Sequence, residues 1–207
     1  MTRRRTIPPY GGIDPSTLVV RKGSVLQALP PPRPPGSPVE LGRLAAWVVA
    51  EIGGGTTRRV YHVRGSDGAE YALKESRDRE ILDKEERRAA TLAGRVPIAR
   101  VMQSGRGWLL REWIVGPTGA EWLERRATNP DDPAVRRNER LLRGLHRALA
   151  ALGLFVARLT PENIILSDGS RGGPWHVVDC GKVREVPEIE ALERYRAKLA
   201  ARWGITL

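Results

Sequence analysis

Leu159-Thr160-Pro161-Glu162-Asn163-Ile164-Ile165-Leu166, followed by His176-Val177-Val178-Asp179-Cys180-Gly181, is the stretch on which the reading of this chain turns. Residues 164–166 and 176–178 are short apolar runs joined by a Gly-rich turn from Ser167 to Pro174, and they predict a β-hairpin. An asparagine before the first strand and an aspartate after the second can then converge on one cation. Taken alone, an Asn and an Asp at turns also serve as ordinary turn residues.

Upstream of this hairpin, Leu141, Leu142, Leu145, Leu149 and Leu152 recur at helical spacing, with Gly153 expected to end the helix. A short apolar segment, Leu154-Phe155-Val156, follows it. Nearer the N-terminus, residues 47–52 read as a strand ending in Gly53-Gly54-Gly55, and residues 59–64 as a second. The turn Gly65-Ser66-Asp67-Gly68 leads into a third strand, residues 70–74. Residues 79–93 predict a helix with Ile81, Leu82, Ala89 and Leu92 on one side. Residues 100–102 and 108–113 are two more strands, and Gly116-Pro117 breaks the chain. Downstream, Pro187 is expected to start a last helix with Ile189, Leu192, Tyr195, Leu199 and Trp203 on one side.

Nine of the 16 prolines lie in residues 1–38. The run from Pro30 to Pro38 cannot form helix or a central strand, because proline lacks an amide donor and fixes φ. Residues 1–38 are therefore expected to be a poorly ordered Pro/Arg-rich arm and extended linker, and a candidate ligand for a proline-recognising partner. The net charge of +11 is spread: Arg3, Arg4, Arg5, Arg21, Lys22 and Arg33 outweigh Asp14 in the arm, and the rest of the excess lies beyond it. A nucleic-acid or anionic-membrane contact is the sharper reading of that charge, but no RNA-binding aromatic motif or zinc module accompanies it, so nucleic acid is not expected. One cysteine excludes an internal disulfide framework and, with three histidines, a Cys-rich zinc site. No apolar run approaches the ~20 residues of a membrane-spanning helix. The basic N-terminus lacks a following apolar region, so no Sec signal is expected, and the default is a soluble protein of a reducing compartment.

Gly53 and Gly55 lie between two strands, with Val60 five residues after Gly55. Glycines there allow backbone amides to approach phosphate oxygens, although a tight hairpin would use them equally well. Lys74 closes the third strand, and Glu85 and Glu86 lie on the helix after it. A strand lysine held by a helix glutamate can aim its ammonium at phosphates.

Taken in this order, the motifs resemble the protein kinase superfamily over roughly residues 44–186. The segment from Val48 to Tyr61 resembles the glycine-rich loop, and Tyr71-Ala72-Leu73-Lys74 the strand that carries the phosphate lysine. The resemblance implies Glu85 or Glu86 as the lysine's partner, without choosing between them. Trp108 to Gly116 resembles the strand into the hinge, where backbone groups near Glu112 and Trp113 would bind adenine, with Val60 and Ala72 lining the nucleotide. Asn163 and Asp179 would be the Mg²⁺ residues and, with Lys74, the catalytic set. The implied fold is α+β and two-lobed. A five-stranded antiparallel N-lobe over residues 39–115 would sit on a reduced helical C-lobe over residues 116–207. Only 26 residues follow Gly181, so the chain is similar to pared-down members such as RIO-type kinases, lipopolysaccharide-core kinases and small bacterial effector kinases. ATP and Mg²⁺ are the implied cofactors and a protein or sugar hydroxyl the implied acceptor. The implied location is the cytoplasm, or a host cell after secretion as an effector.

The pattern also departs from the family. Val156, Ala157 and Arg158 stand where the catalytic loop carries His-Arg-Asp, and a guanidinium cannot act as a base at neutral pH. Arg58 replaces the third loop glycine, Cys180 the phenylalanine of the metal motif, and Arg111 sits just before the hinge. Glu162 and Asp168 are the nearby carboxylates that could stand in as base. Two functions therefore compete: an ATP-dependent phosphotransferase, and a pseudokinase interaction module. A basic nucleic-acid or membrane-binding protein is the third reading.

Overall fold

The computed structural model of the chain describes residues 18–21, 24–27, 29–55, 58–152, 154–156, 160–167, 175–180, 183–185, 197 and 200–204. Strands β1 (Leu18–Arg21) and β2 (Ser24–Gln27) pair as a separate hairpin within the arm. The main sheet is antiparallel and contains β3 (Pro38–Leu41), β4 (Leu44–Gly55), β5 (Arg58–Gly65), β6 (Glu70–Ser76), β7 (Val101–Gly105) and β8 (Trp108–Glu112). Its order is β3-β4-β5-β6-β8-β7. Five strands are legible in the sequence; the sixth, β3, begins at a proline. Pro38 is tolerated because it opens a strand at the sheet edge, where its missing N–H breaks no ladder.

The linker before β3 ends in a turn, with Gly36 at φ +83° and Ser37 N donating to Pro34 O at 3.1 Å, and it is anchored to the sheet. Gly36 N donates to Val48 O at 2.8 Å, and Val48 N donates to Ser37 O at 2.9 Å. Arg33 N donates to the Tyr61 hydroxyl at 3.3 Å, and the Arg33 guanidinium pairs with Glu75 at 3.3 Å. The Arg59 guanidinium donates to Pro30 O. The polyproline stretch thus lies along the sheet.

Alternation sorts the sheet into two faces. Val39, Leu41, Ala46, Val48, Tyr61, Val63, Tyr71, Leu73 and Leu110 form one buried cluster. His62, Ala72 and Lys74 are out of phase with it and face the other way. Lys74 is nevertheless buried. It lies beside helix α1 (Arg79–Leu92), which follows β6. Asp78 caps α1 by accepting from Ile81 N. Leu82, Glu85, Ala89 and Leu92 are its buried residues. The sequence stripe names Ile81 in place of Glu85, since a carboxylate is not expected on an apolar face.

In the second half, α2 (Gly119–Thr128) opens with a capping box between Thr118 and Glu121. Helix α3 (Pro133–Ala151) opens with an Asp132 cap and proline in its first turn. Its buried face runs Val135, Asn138, Leu142, Leu145, His146 and Leu149. Leu152, counted in the sequence stripe, is outside that face and exposed. Strand β9 (Leu154–Val156) pairs with β12 (Val183–Glu185), and β10 (Ile164–Leu166) with β11 (Trp175–Val177). The lower core gathers Leu142, Leu145 and Leu149 with Ile164, Leu166, Trp175, Val177, Cys180 and Trp203. Ala89 and Leu92 of α1 belong to it too, so this helix reaches from the sheet into the lower lobe.

Trp203, in the helical residues 200–203, packs against Trp122 and Trp175 at ring distances of 6.5 and 6.3 Å. Most of the helix expected from Pro187 lies outside the described residues. Among those described, no helix is long and apolar enough to cross a membrane.

Two strips of backbone stitch the halves together. Val177 N donates to Pro97 O and Ala99 N to Val177 O, both at 3.1 Å. Leu166 N donates to Pro117 O at 2.9 Å. The β10–β11 hairpin is thereby held under the sheet, and the junction between them, where Lys74 meets Asp179, is the candidate cleft.

Candidate active site

Period two on β6 places Lys74 on the cleft side, one residue pair from the glycine hairpin: Val60 faces Lys74 across the β5–β6 ladder. The helical rotation of α1 brings Glu85, not Glu86, to the lysine. Lys74 Nζ donates to Glu85 Oε2, and the Glu85 side chain is only 1% exposed. Glu86 turns away and accepts from the Ser104 hydroxyl at 2.8 Å. The choice that spacing leaves open is thus made by helix phase.

Lys74 Nζ also lies 3.6 Å from Asp179 Oδ1. Asp179 follows β11, and Val178 N beside it donates to Asn163 O at 3.0 Å. The hairpin therefore sets the asparagine and aspartate segments next to each other, as its strand order requires. Among the described residues no three His, Cys, Asp or Glu side chains gather as a metal set. A carboxylate and an amide are hard oxygen donors of the kind that Mg²⁺ takes together with phosphate oxygens and water. The donors present fit that ion.

Gly53 and Gly55 pair with Val60 and Arg58 at the closed end of β4–β5. At Gly53 a Cβ would meet nothing within 4 Å, so packing does not require a glycine there. At Gly54 it would lie 2.7 Å from Arg58 O, with φ at +151°, so the hairpin itself requires that glycine. Ala72 faces Arg111 across the β6–β8 ladder. Glu112 N donates to Arg100 O at 2.9 Å, and its carboxylate pairs with Arg100 at 3.1 Å. Burial pushes the Glu112 carboxyl up, but the hydrogen bonds and charge of Arg100 outweigh it and leave the pKa below its usual value. Trp113 stacks on His62 with ring centroids 4.0 Å apart and planes 6° from parallel, which ties the hinge to the sheet.

Sequence reading passes over three residues that the structure makes candidates for this site. Ile52 precedes Gly53 and is half exposed beside the glycine hairpin. Ile165 is out of phase with the buried Ile164 and Leu166, so it faces away from the lower core. Alternation would have found Ile165; it misplaces Ile52, because β4 is bulged between Val48 and Ala50 and again between Glu51 and Gly53. The third is Arg111, noted only as a departure. It is buried, pairs with Glu85 Oε1 at 3.3 Å and donates to Val178 O. No sequence rule pairs a strand arginine with a carboxylate on a preceding helix.

Of the departures, Cys180 is fully buried, and burial holds its thiol pKa above the usual value despite the nearby Arg111 charge. It serves as a small core residue. Glu162 is exposed, and the Thr160 hydroxyl holds its carboxyl below the usual value, which weakens it as a base. Arg158, Asp168 and Gly181 lie outside the described residues.

The fold so built is similar to solved protein kinases. The kinase domain of BubR1 matches with a TM-score of 0.55 at 18% identity, covering 73% of this chain. The chain spans about half of that domain, 51% of its length. A comparison with curated proteins gives no match. A family model described as the phosphotransferase enzyme family matches residues 48–205. That interval takes in the glycine hairpin, the lysine strand, α1 and the Asn/Asp hairpin, and the chain belongs to this family of phosphotransferase enzymes.

Proposed function

We propose that the cleft binds ATP with Mg²⁺ and that the chain transfers the γ-phosphoryl group to a protein or sugar hydroxyl. The observation that carries this reading is the position of one ammonium. Lys74 is bonded to a buried glutamate on one side and lies 3.6 Å from Asp179 on the other. A lysine fixed by a buried carboxylate and set beside a partly exposed one is placed as a phosphate-binding lysine would be.

In this reading Glu85 fixes the lysine, and the lysine presents its charge to the α- and β-phosphates. Backbone amides at Gly53 and Gly55 cover the phosphates. Ile52, Val60, Ala72 and Ile165 offer apolar surface to the base, and backbone groups near Glu112 and Trp113 offer it hydrogen bonds. Asn163 and Asp179 would hold the metal, whose charge offsets that of the β- and γ-phosphates when bound. Residue 158 takes no proton from the acceptor. The rate is expected ~10²–10⁴-fold below that of an enzyme with a carboxylate there. Transfer persists because catalysis of this kind rests mainly on positioning and charge.

The sequence Val156-Ala157-Arg158 favours a second reading, in which the chain binds nucleotide as a pseudokinase module and transfers nothing. Thermal unfolding with ATP, with and without Mg²⁺, separates these from a non-binding fold. Ligand at 100 times its dissociation constant stabilises by ~2.7 kcal/mol, or roughly 5–11 °C here. The Mg²⁺-dependent part of the shift should vanish in Asp179→Ala. Phosphoryl release that Lys74→Ala abolishes would select the enzyme. No shift with any nucleotide refutes the proposal.

A further inference from the structure

Among the described residues, Arg111 is a buried cation beside Lys74 and Glu85 that the proposed function does not use. It lies on β8 just before the hinge, and its side chain is 4% exposed. It makes two contacts with different parts of the fold. Its Nη1 is 3.3 Å from Glu85 Oε1 on α1, and it donates to the carbonyl of Val178, the residue before Asp179. Glu85 thus faces two cations, Lys74 at Oε2 and Arg111 at Oε1. The Arg111 charge also lowers the Cys180 thiol pKa against the larger effect of burial, so its influence extends two residues past Val178.

The charges give this arrangement a consequence. Lys74 and Arg111 carry two positive charges, and Glu85 and Asp179 two negative ones. The cluster is neutral with Arg111 and carries a net −1 without it. A triphosphate entering a net-negative cluster needs metal to neutralise it; one entering a neutral cluster needs metal less. Both contacts are made by Nη1, while Nε and Nη2 have no hydrogen-bond partner among the described residues, so the arginine reaches Glu85 and Val178 through one nitrogen at the end of a long side chain.

We propose that Arg111 is a positioning residue that holds Lys74, Glu85 and Asp179 assembled and electrically balanced before nucleotide arrives, which makes nucleotide binding partly independent of metal. This rests on the nucleotide-binding reading of the cleft. The three elements it joins are β8, α1 and the segment after β11. Their assembly is a property of the free chain, since one side chain bonds to two of them from the third.

The test is titration calorimetry with ATP, in Mg²⁺ and in EDTA, on wild type, Arg111→Met and Arg111→Lys, each checked for a cooperative thermal transition. Arg111→Met removes the charge and keeps most of the side-chain length. Arg111→Lys keeps the charge and shortens its reach to Glu85 and Val178. Wild type should bind ATP in EDTA. Arg111→Met should lose affinity by ~10–30-fold in EDTA, from removal of one charge at an effective dielectric of ~20, and by clearly less in Mg²⁺. Arg111→Lys should recover most of the EDTA affinity while melting below wild type. A purely structural role would lower both variants equally in both buffers, and that result overturns the inference. So does wild-type affinity in Arg111→Met. Wild type that binds in Mg²⁺ alone overturns the inference and leaves the nucleotide reading standing. Wild type that binds in neither buffer overturns both.

Discussion

Glu85→Gln and Glu86→Gln differ by one residue and should differ several-fold in effect. Glu85 is buried between Lys74 and Arg111, the latter at 3.3 Å. A glutamine there can accept from one cation through its oxygen, but its amide NH₂ then faces the other. Removing one partner from a buried ion pair costs ~3–5 kcal/mol, because the remaining charge keeps its desolvation penalty. At ~2–4 °C per kcal/mol for a chain of this size, the melting temperature should fall by roughly 6–20 °C. Glu86 makes one exposed hydrogen bond, to Ser104 at 2.8 Å. Surface changes of that kind stay within ~0.5 kcal/mol, or about 2 °C at most. Circular dichroism melts of the three proteins at pH 7.5 decide it. A Glu85→Gln transition within 2–3 °C of wild type, on the order of the surface control, would mean that the two cations are solvated and that the charge cluster is not built as described.

Three further outcomes are expected. His146 is buried beside Trp203, and burial lowers its pKa to about 4. The unfolded chain therefore takes up that proton first as pH falls below ~6.5, so the stability difference between wild type and His146→Phe should shift by ~3 kcal/mol between pH 7 and pH 4, read by urea unfolding. Wild type should lose the stability as acid is added, and the variant should lack that component; parallel profiles refute it. Gly116→Ala would place a Cβ 1.8 Å from Leu166 O, with φ at +150°, whereas at Gly144 in α3 a Cβ meets nothing within 4 Å. The first should destabilise by at least ~1–3 kcal/mol and the second stabilise by up to ~1 kcal/mol, so melts of opposite sign are expected. Cys180 should resist a thiol reagent in the native protein at pH 8 and react fully in urea, because it is buried and its thiol pKa is raised.

The parts of the site that the sequence discloses are those whose chemistry is local. Lys74 can be read because a lysine at the end of an apolar strand needs a reason. Asn163 and Asp179 can be read because a hairpin of known period fixes where its two ends meet. Glu85 is legible only as one of two, since both glutamates lie within a turn and choosing needs the phase of α1 against β6. Asn138 and His146 interrupt the apolar stripe of α3, so its buried face reads as starting at Leu141 when it starts at Val135. The strand β3 was hidden by proline, and the anchoring of Arg33 and Pro30 by its distance in sequence from Tyr61, Glu75 and Arg59. Each miss involves a contact across tens of residues or a polar group in an apolar setting. Neither leaves a periodic trace.

The two arginines at the ends of this argument act in opposite directions. Arg111 adds positive charge beside Lys74, where it is matched by Glu85, and in its proposed role it supports the assembly of the lysine–glutamate–aspartate set. Arg158 adds positive charge in the sequence position from which a base would take the acceptor proton. If positioning dominates catalysis, the loss at 158 leaves a slow enzyme, since a general base supplies only ~10²–10⁴ of the rate. Disassembling the lysine–glutamate–aspartate set should cost more than that, because it removes charge stabilisation and orientation together. The order of sensitivity then separates the readings: in a weak enzyme, substitutions at Lys74, Asp179 and Arg111 lower phosphoryl release further, whereas in a binding module they change nucleotide affinity with no turnover to lose.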